Sequence, residues 1–356
     1  MKRSTILHVC TLDKFIPPFI DFIEEHFDDF YERHRFFIVG DPEKYPYKIR
    51  VNIHQVKRNK LNKFTSLLLL VWSLNKADKI ILHALFNQYI VILLALMPWT
   101  LGKCYWVIWG GDLYSYKLAE RTTKWRINEF FRRIVIGRIG YITTTVPGDY
   151  EKAKHWYGVN SIYIQNIIYP SHIARCFDSY VCNVNKEGRT FVQIGNSADP
   201  SNNHEVIIER LSKLKYNKIT YFCPLSYGDE FYAKKVIKYG KEMLGKSFYP
   251  ITKFMSFDEY NQYMSCIDVA IFNHDRQQAM GNIIGLVSLG KKVYVKSTTT
   301  TYNYLLNLGI NVYATDKDIV LESIPFEIAK KNIVVANNFF TIKKLKDDWC
   351  KVFYGG

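Results

Sequence analysis

Acid is in short supply in this chain. Its 356 residues carry 33 Asp and Glu against 48 Lys and Arg, a formal charge of +15. Such a surface concentrates polyanions: nucleic acid, anionic lipid or a diphosphate-bearing substrate. No CxxC pair occurs among the seven cysteines, and seven is odd. That excludes a zinc framework and predicts reduced thiols in a cytoplasmic protein. Long apolar runs are missing too. The most apolar stretch, Tyr89 to Leu101, is broken by Pro98 after a span well short of the roughly 20 residues that cross a bilayer. Met1-Lys2-Arg3 leads straight into a short strand-like run with no leader-type core, so a soluble or membrane-surface protein is expected. There is no internal repeat, low-complexity tract, helix-turn-helix, finger or RNP pattern, so no nucleic-acid partner is expected.

What is present is globular: 48% hydrophobic and 23% charged residues. Short β-branched or aromatic runs alternate with helical patterns, the signature of parallel sheets covered by helices. Strands are expected at Thr5–Val9, Arg35–Val39, Lys79–His83, Lys103–Ile108 and Gly140–Thr144, with helices at Phe19–Phe30, Leu85–Met97 and Lys117–Arg138. The periodicity fades around Asn166–Gly188, then a second series runs from the strand Thr190–Ile194 to the strand Lys292–Val295, followed by a helix at Asn337–Phe353. The expected organisation is an α/β domain over 1–170, a second over 185–335, and a C-terminal helix over 336–356 packing back across the domains. Two such Rossmann-like units place ligands at the carboxyl ends of their strands, facing a central cleft.

Four segments carry candidate chemistry. After the strand Thr190–Ile194 comes GNSADPSNNH, Gly195 to His204, which presents backbone N–H groups and hydroxyls to an anion or forms an ordinary turn with a helix cap. No lysine follows in the P-loop position, which excludes a P-loop triphosphatase. His274 to Asn282 again links a strand to an apolar helix. There Arg276 has the planar fork for a diphosphate, and Gly281 and Asn282 sit at a helix N-terminus; a solvated loop is the alternative. Between them lies Cys223 to Gly228, with Tyr227 and Gly228 closing a strand, either over a ligand or as a simple turn. In the first half, Trp106 to Tyr114 (WVIWGGDLY) sets Asp112 at a strand end, as a general base or as a helix cap. His83 ends a strand and Asp13 lies in the first strand-to-helix loop; both are further base candidates, each with a structural role as the alternative. Basic and aromatic residues interleave over Lys117–Arg138, with Lys117, Arg121, Lys124, Trp125, Arg132 and Arg133 suited to an anionic membrane surface or forming a solvated face of a core helix. The basic segment Lys57–Lys63 adds charge to either.

At HALFNQ (His83 to Gln88), IWGGDLY (Ile108 to Tyr114), IGNSADPSNNH (Ile194 to His204) and Arg276-Gln277-Gln278, in that order and spacing, with Trp349 near the end, the sequence resembles glycosyltransferase family 56. More narrowly, it resembles the dTDP-4-acetamido-4,6-dideoxygalactose (Fuc4NAc):lipid II transferases of enterobacterial common antigen synthesis. The resemblance implies a GT-B fold, a dTDP-sugar donor, a polyprenyl-diphosphate-linked acceptor, no cofactor or required metal, and work at the cytoplasmic face of the bacterial inner membrane. It implies donor contacts from Gly195, Asn196, Ser197, Ser201, Asn202, His204, Tyr227, Gly228, Arg276, Gln277 and Gln278, and places Asp112 and His83 on the acceptor side. Ala84 stands where the pattern calls for glycine, and Ala279-Met280-Gly281-Asn282 replaces a more glycine-rich run. These departures leave room for another dTDP-deoxysugar and an O-antigen acceptor. An inverting course would need a base such as Asp112; a retaining one would lean on the leaving phosphate. A nucleotide-sugar epimerase or hydrolase of the same fold, and a non-catalytic basic binding protein, are the alternatives.

Overall fold

The computed structural model describes residues 4–57, 59–175 and 182–355. Met1-Lys2-Arg3, Arg58 of the basic segment and Cys176 fall outside them. The chain forms two compact units, residues 1–171 with 342–356, and residues 172–341.

The first unit runs β1 (Ile6–Thr11), α1 (Ile16–His26), α2 (Phe30–Arg33), β2 (His34–Val39), β3 (Ile53–Gln55), α3 (Lys60–Lys76), β4 (Lys79–His83), α4 (Gln88–Leu96), β5 (Cys104–Val107), α5 (Gly111–Leu118), α6 (Thr123–Ile136), β6 (Tyr141–Thr144), α7 (Pro147–Tyr157) and β7 (Ile162–Gln165). The second runs β8 (Thr190–Ile194), α8 (His204–Ser212), β9 (Ile219–Pro224), α9 (Glu230–Leu244), β10 (Phe248–Ile251), α10 (Phe257–Cys266), β11 (Val269–Phe272), α11 (Met280–Ser288), β12 (Lys292–Val295), α12 (Thr300–Asn307), β13 (Tyr313–Ala314) and α13 (Phe326–Phe339). The last helix, α14 (Ile342–Tyr354), belongs to the first unit.

Both sheets are wholly parallel, in the orders β3-β2-β1-β4-β5-β6-β7 and β10-β9-β8-β11-β12-β13. Central strands such as β5 (Cys-Tyr-Trp-Val) are buried along their whole length, as a sheet covered on both faces demands. The covering helices bury one stripe each. In α1 it is Ile16, Phe19, Ile20 and Ile23; in α14 it is Leu345, Trp349, Val352 and Phe353. Trp349 Nε1 donates to the Ile168 carbonyl (3.0 Å), and Asp348 accepts from the Ile167 N–H (3.1 Å), which fixes α14 on its unit. In each sheet the strand order reverses at one place, β1/β4 in the first and β8/β11 in the second, and that is where doubly wound sheets bind ligands.

Three expected helices are each two. Phe19–Phe30 divides into α1 and α2, and Asn337–Phe353 divides between α13 and α14. Lys117–Arg138 breaks at Ala119, which is extended, and Thr122 caps the new start by accepting from the Trp125 N–H (3.1 Å). The expectation of reduced thiols fails for one pair. Cys182 and Cys266 form a disulfide with Cα atoms 4.7 Å apart, across a sequence separation of 84 that no spacing rule reveals. Cys10, Cys104 and Cys223 are free and buried. Among the described residues no helix is long and apolar enough to cross a membrane.

Candidate active site

In the second unit the loops after β8 and β11 meet at the switch point and bond to each other. His274 Nε2 lies 3.1 Å from Asn196 Oδ1 and 2.9 Å from Asn202 Oδ1, so it is the protonated nitrogen, shared between two carbonyl oxygens. Asn202 Oδ1 also takes the Asn196 N–H (3.1 Å). Gln278 Nε2 donates to Asn196 Oδ1 and Ser197 Oγ (3.3 Å each), and the one proton of Ser201 Oγ goes to Asp199 Oδ1 (2.6 Å), with Gln278 Oε1 also within reach at 2.8 Å. Asn196 Nδ2 reaches the Tyr227 hydroxyl (2.9 Å), bringing in the loop after β9. Most of the expected donor residues thus share one network.

Two glycines permit this packing. Gly195 has φ +65, and a Cβ there would lie 2.4 Å from His204 Nε2; Gly228 has φ +118, and a Cβ would lie 2.5 Å from the Ala198 carbonyl oxygen. His204 is fully buried under Gly195, with its Nε2 unbonded and burial pushing its pKa down to about 4. It supports the loop from beneath. Its place corrects the expectation of a direct donor contact, because the loop backbone covers it.

Arg276 Nη2 is 2.8 Å from Asp199 Oδ2. Burial works against the Asp199 carboxylate, yet Arg276 and the Ser201 hydrogen bonds outweigh it and hold the pKa below the usual value. The guanidinium is thus held at the loop by a half-exposed acid. α11 opens beside it with no side-chain cap: Ala279 is left-handed at the N-cap, and Gly281 and Asn282 lie in the first turn. Its first N–H groups and their partial positive charge are left for an anion. Gln277 is buried with Oε1 unbonded. Cationic fork, open helix start and polar loop are together what a diphosphate needs.

In the first unit Asp112 is 1% exposed and both oxygens are taken. Oδ2 accepts from Trp106 Nε1 (2.7 Å) and the Leu85 N–H (3.1 Å); Oδ1 accepts from the N–H groups of Trp109 and Leu113 (3.0 Å each). This corrects its reading as the base: the carboxylate is a buried tie between β5, the Gly110–Gly111 turn and the loop after β4. Arg132 is likewise inward. Its Nη1 and Nη2 donate to the carbonyls of Leu85 (2.8 Å) and Asp112 (2.6 Å), so it is no surface contact. Trp125 is half-buried, its Nε1 on the Ser115 carbonyl (3.2 Å), whereas Lys117, Arg121, Lys124 and Arg133 are exposed. Trp125, Phe131, Arg132 and Phe86 line a cavity of about 220 Å³ between α4 and α6.

Asp13 is different. It follows β1 at the switch point, half-buried, and its Oδ1 is buried with no hydrogen bond. Burial raises its pKa against the pull of Lys14 and Lys44. A carboxylate with a free oxygen and raised basicity suits proton abstraction.

His83 belongs to a chain that sequence reasoning missed. Trp109 Nε1 donates to the Tyr169 hydroxyl (2.8 Å), which lies 2.7 Å from His83 Nδ1. His83 Nε2 lies 3.1 Å from His8 Nδ1, and His8 Nε2 lies 2.9 Å from His34 Nδ1. His34 Nε2 ends the chain 3.9 Å from Asp29 Oδ1. The tautomer with every Nε2 protonated gives each link one donor and turns an N–H, not a lone pair, towards Asp29. Within that tautomer, a second proton on His8 or His34 sets two donors face to face. Burial accordingly drives His83 down to about 3, His34 to about 4, and His8 well below its ordinary value. The signal available in sequence was histidine at inward positions of three adjacent strands, β1, β2 and β4. This chain orients Trp109, whose ring meets Phe15 and Phe86 edge-on at 5.5 and 5.9 Å, a partly exposed aromatic ledge beside Asp13.

At Ala84, where the resemblance leads to an expectation of glycine, φ is +66; Ala279, in the other expected departure, has φ +58. Relieving the left-handed strain outweighs the added chain entropy, so Ala84→Gly is expected to stabilise by about 0.5–1 kcal/mol. Chemical denaturation checks it, and a loss of stability would refute the strain at this position.

A family model described as 4-alpha-L-fucosyltransferase glycosyl transferase group 56 matches residues 6–350. The chain belongs to glycosyltransferase family 56. As a family 56 transferase it takes a nucleotide-sugar donor and a glycan acceptor. Among solved structures it is similar to HepE of Anabaena, solved with UDP and glucose (TM-score 0.70, 12% identity, 98% of this chain and 99% of that one). It is also similar to sucrose-phosphate synthase of Thermosynechococcus elongatus (0.69, 8%, 99% and 98%). A third is WaaG, a glycosyltransferase involved in lipopolysaccharide biosynthesis (0.64, 10%, 99% and 100%). At such identities the likeness shows the fold alone, and that fold is GT-B.

Proposed function

We propose that this transferase moves a 4-acetamido-4,6-dideoxyhexose from a dTDP-sugar to a polyprenyl-diphosphate-linked saccharide, in common-antigen or O-antigen synthesis at the cytoplasmic face of the inner membrane. The observation that carries the donor assignment is the second-unit constellation: Arg276 held by Asp199, the Asn196–Ser197–Gln278 network, and the uncapped start of α11. HepE, the solved relative with UDP and glucose, is of the same fold and supports a nucleoside-diphosphate ligand. The family description, a fucosyl transfer, supports a 6-deoxy sugar.

As the anomeric bond breaks, negative charge grows on the departing diphosphate. Arg276 and the first N–H groups of α11 are preorganised to meet it, with Asn196, Ser197 and Gln278 fixing the phosphates. In an inverting course Asp13 takes the acceptor hydroxyl proton, and the Trp109 ledge stacks the acceptor sugar ring.

Calorimetric titration with dTDP, UDP and GDP tests the donor assignment. Binding selective for dTDP is expected, and Arg276→Ala should weaken it about 10- to 100-fold, the loss of one charge-assisted contact. Preference for UDP or GDP would replace the donor class. Unchanged affinity in the variant would remove Arg276 from the site.

A further inference from the structure

The face of α3 turned away from its unit is apolar. Leu61, Phe64, Leu68 and Trp72 follow helical spacing in a single stripe, and they are 74%, 60%, 55% and 60% exposed. The opposite side carries the packing, with Ser66, Leu70 and Leu74 buried. Leu67 and Leu69 widen the stripe. Trp99, 67% exposed, is held alongside by its Nε1 donating to Asn75 Oδ1 (2.9 Å), about one turn beyond Trp72. Helices of globular proteins do the reverse, so this stripe marks a contact.

Its charge indicates with what. Lys60–Lys76 contains no Asp or Glu, while Lys57 and Lys63 near its start and Lys76 at its end are exposed. Interfaces between proteins are depleted in lysine, whereas helices that lie in a bilayer surface combine lysine with tryptophan, phenylalanine and leucine. Tryptophan with its indole N–H satisfied and its ring exposed suits the headgroup boundary.

We propose that α3 docks this protein onto an anionic bilayer, lying in the headgroup layer with Leu61, Phe64, Leu68 and Trp72 inserted and the lysines on lipid phosphates. Docking of this kind deepens the lipid-linked acceptor reading above and rests on it for its purpose. The α6 surface that the sequence suggested is secondary to it, since Arg132 faces inward.

Sedimentation of the full chain with vesicles of phosphatidylethanolamine and phosphatidylglycerol, against phosphatidylcholine alone, tests the proposal. The protein should pellet with the anionic vesicles and lose binding as salt rises. Phe64→Glu/Trp72→Glu should abolish pelleting, and Lys57→Glu/Lys63→Glu should weaken it about tenfold or more. Both variants should keep the wild-type melting temperature and nucleotide affinity, because these side chains are exposed. Equal binding to both vesicle types, or undiminished binding by the apolar double variant, overturns the proposal. So does a wild-type dimer that becomes monomeric in that variant, since α3 would then join two copies. Vesicle binding without dTDP binding would sink the donor reading and leave the docking intact.

Discussion

Asp13→Asn is expected to lower turnover about 10²- to 10⁴-fold with melting temperature and donor affinity unchanged, the range of a lost general base. Asp112→Asn should show the opposite pattern. Asp13 offers a buried oxygen that nothing bonds and a pKa raised by burial; the asparagine keeps the shape and removes the basicity. Asp112 has four N–H donors on its two oxygens. An amide nitrogen in place of one oxygen would face two of them, leaving buried donors unpaired at a cost of about 2–4 kcal/mol. For a unit of this size that lowers the melting temperature by several degrees. Turnover by Asp112→Asn, measured well below its melting point, should fall far less than in Asp13→Asn. Initial rates and thermal melts on both variants decide between them. If Asp112→Asn melts normally and is inactive while Asp13→Asn turns over, the assignment is inverted.

The sequence favoured Asp112 because IWGGDLY is conspicuous and Asp13 is not. A paired glycine after an apolar strand announces close backbone approach, but the approach here serves a buried carboxylate and no ligand. The fold was far easier to read. Strands such as β4, β8 and β12 are short apolar runs between helical patterns, and their bounds were legible to the residue. α3 went unseen because its apolar residues face both ways, which erases the helical period. The exposed edge strand β7 lacks a buried run for the same kind of reason. The donor network was legible as loops but not as a network. No spacing rule shows that His274 bridges Asn196 and Asn202, and the histidine chain needs the register of three strands.

Buried neutral histidines predict that acid will take the two units apart at different pH. In the second unit His172 and His204 are held down to about 4 and His274 to about 3. Burial is the main cause in each, with Arg175 adding at His172 and Arg276 at His274, while Asp199 opposes at His204 and His274. Above the unfolded pKa of about 6.5, both states are neutral and stability does not respond to pH. Below it the unfolded chain takes protons that the native unit refuses, so stability falls until the folded pKa is reached. At pH 5 each such histidine costs about 2 kcal/mol, so the three cost about 6 kcal/mol against a domain stability of about 5–15 kcal/mol. The first unit carries the same liability in His8, His34 and His83. It also holds Asp13, Asp112 and Glu129, whose raised pKa values let the native state bind protons early and offset part of the loss; only Glu24, which the hydrogen bonds of Arg50 and Tyr31 hold down to about 2, adds to it among the first unit's shifted carboxylates. In the second unit Asp199, Glu209, Glu259 and Asp316 are likewise shifted down and add to it. The second unit should therefore unfold first between pH 6 and 4, taking nucleotide binding with it. All seven tryptophans lie in the first unit, so the two events separate optically. Far-ultraviolet circular dichroism should lose signal on acidification before tryptophan emission shifts. A single coincident transition, or emission shifting first, would show that the carboxylates do not protect the first unit as argued.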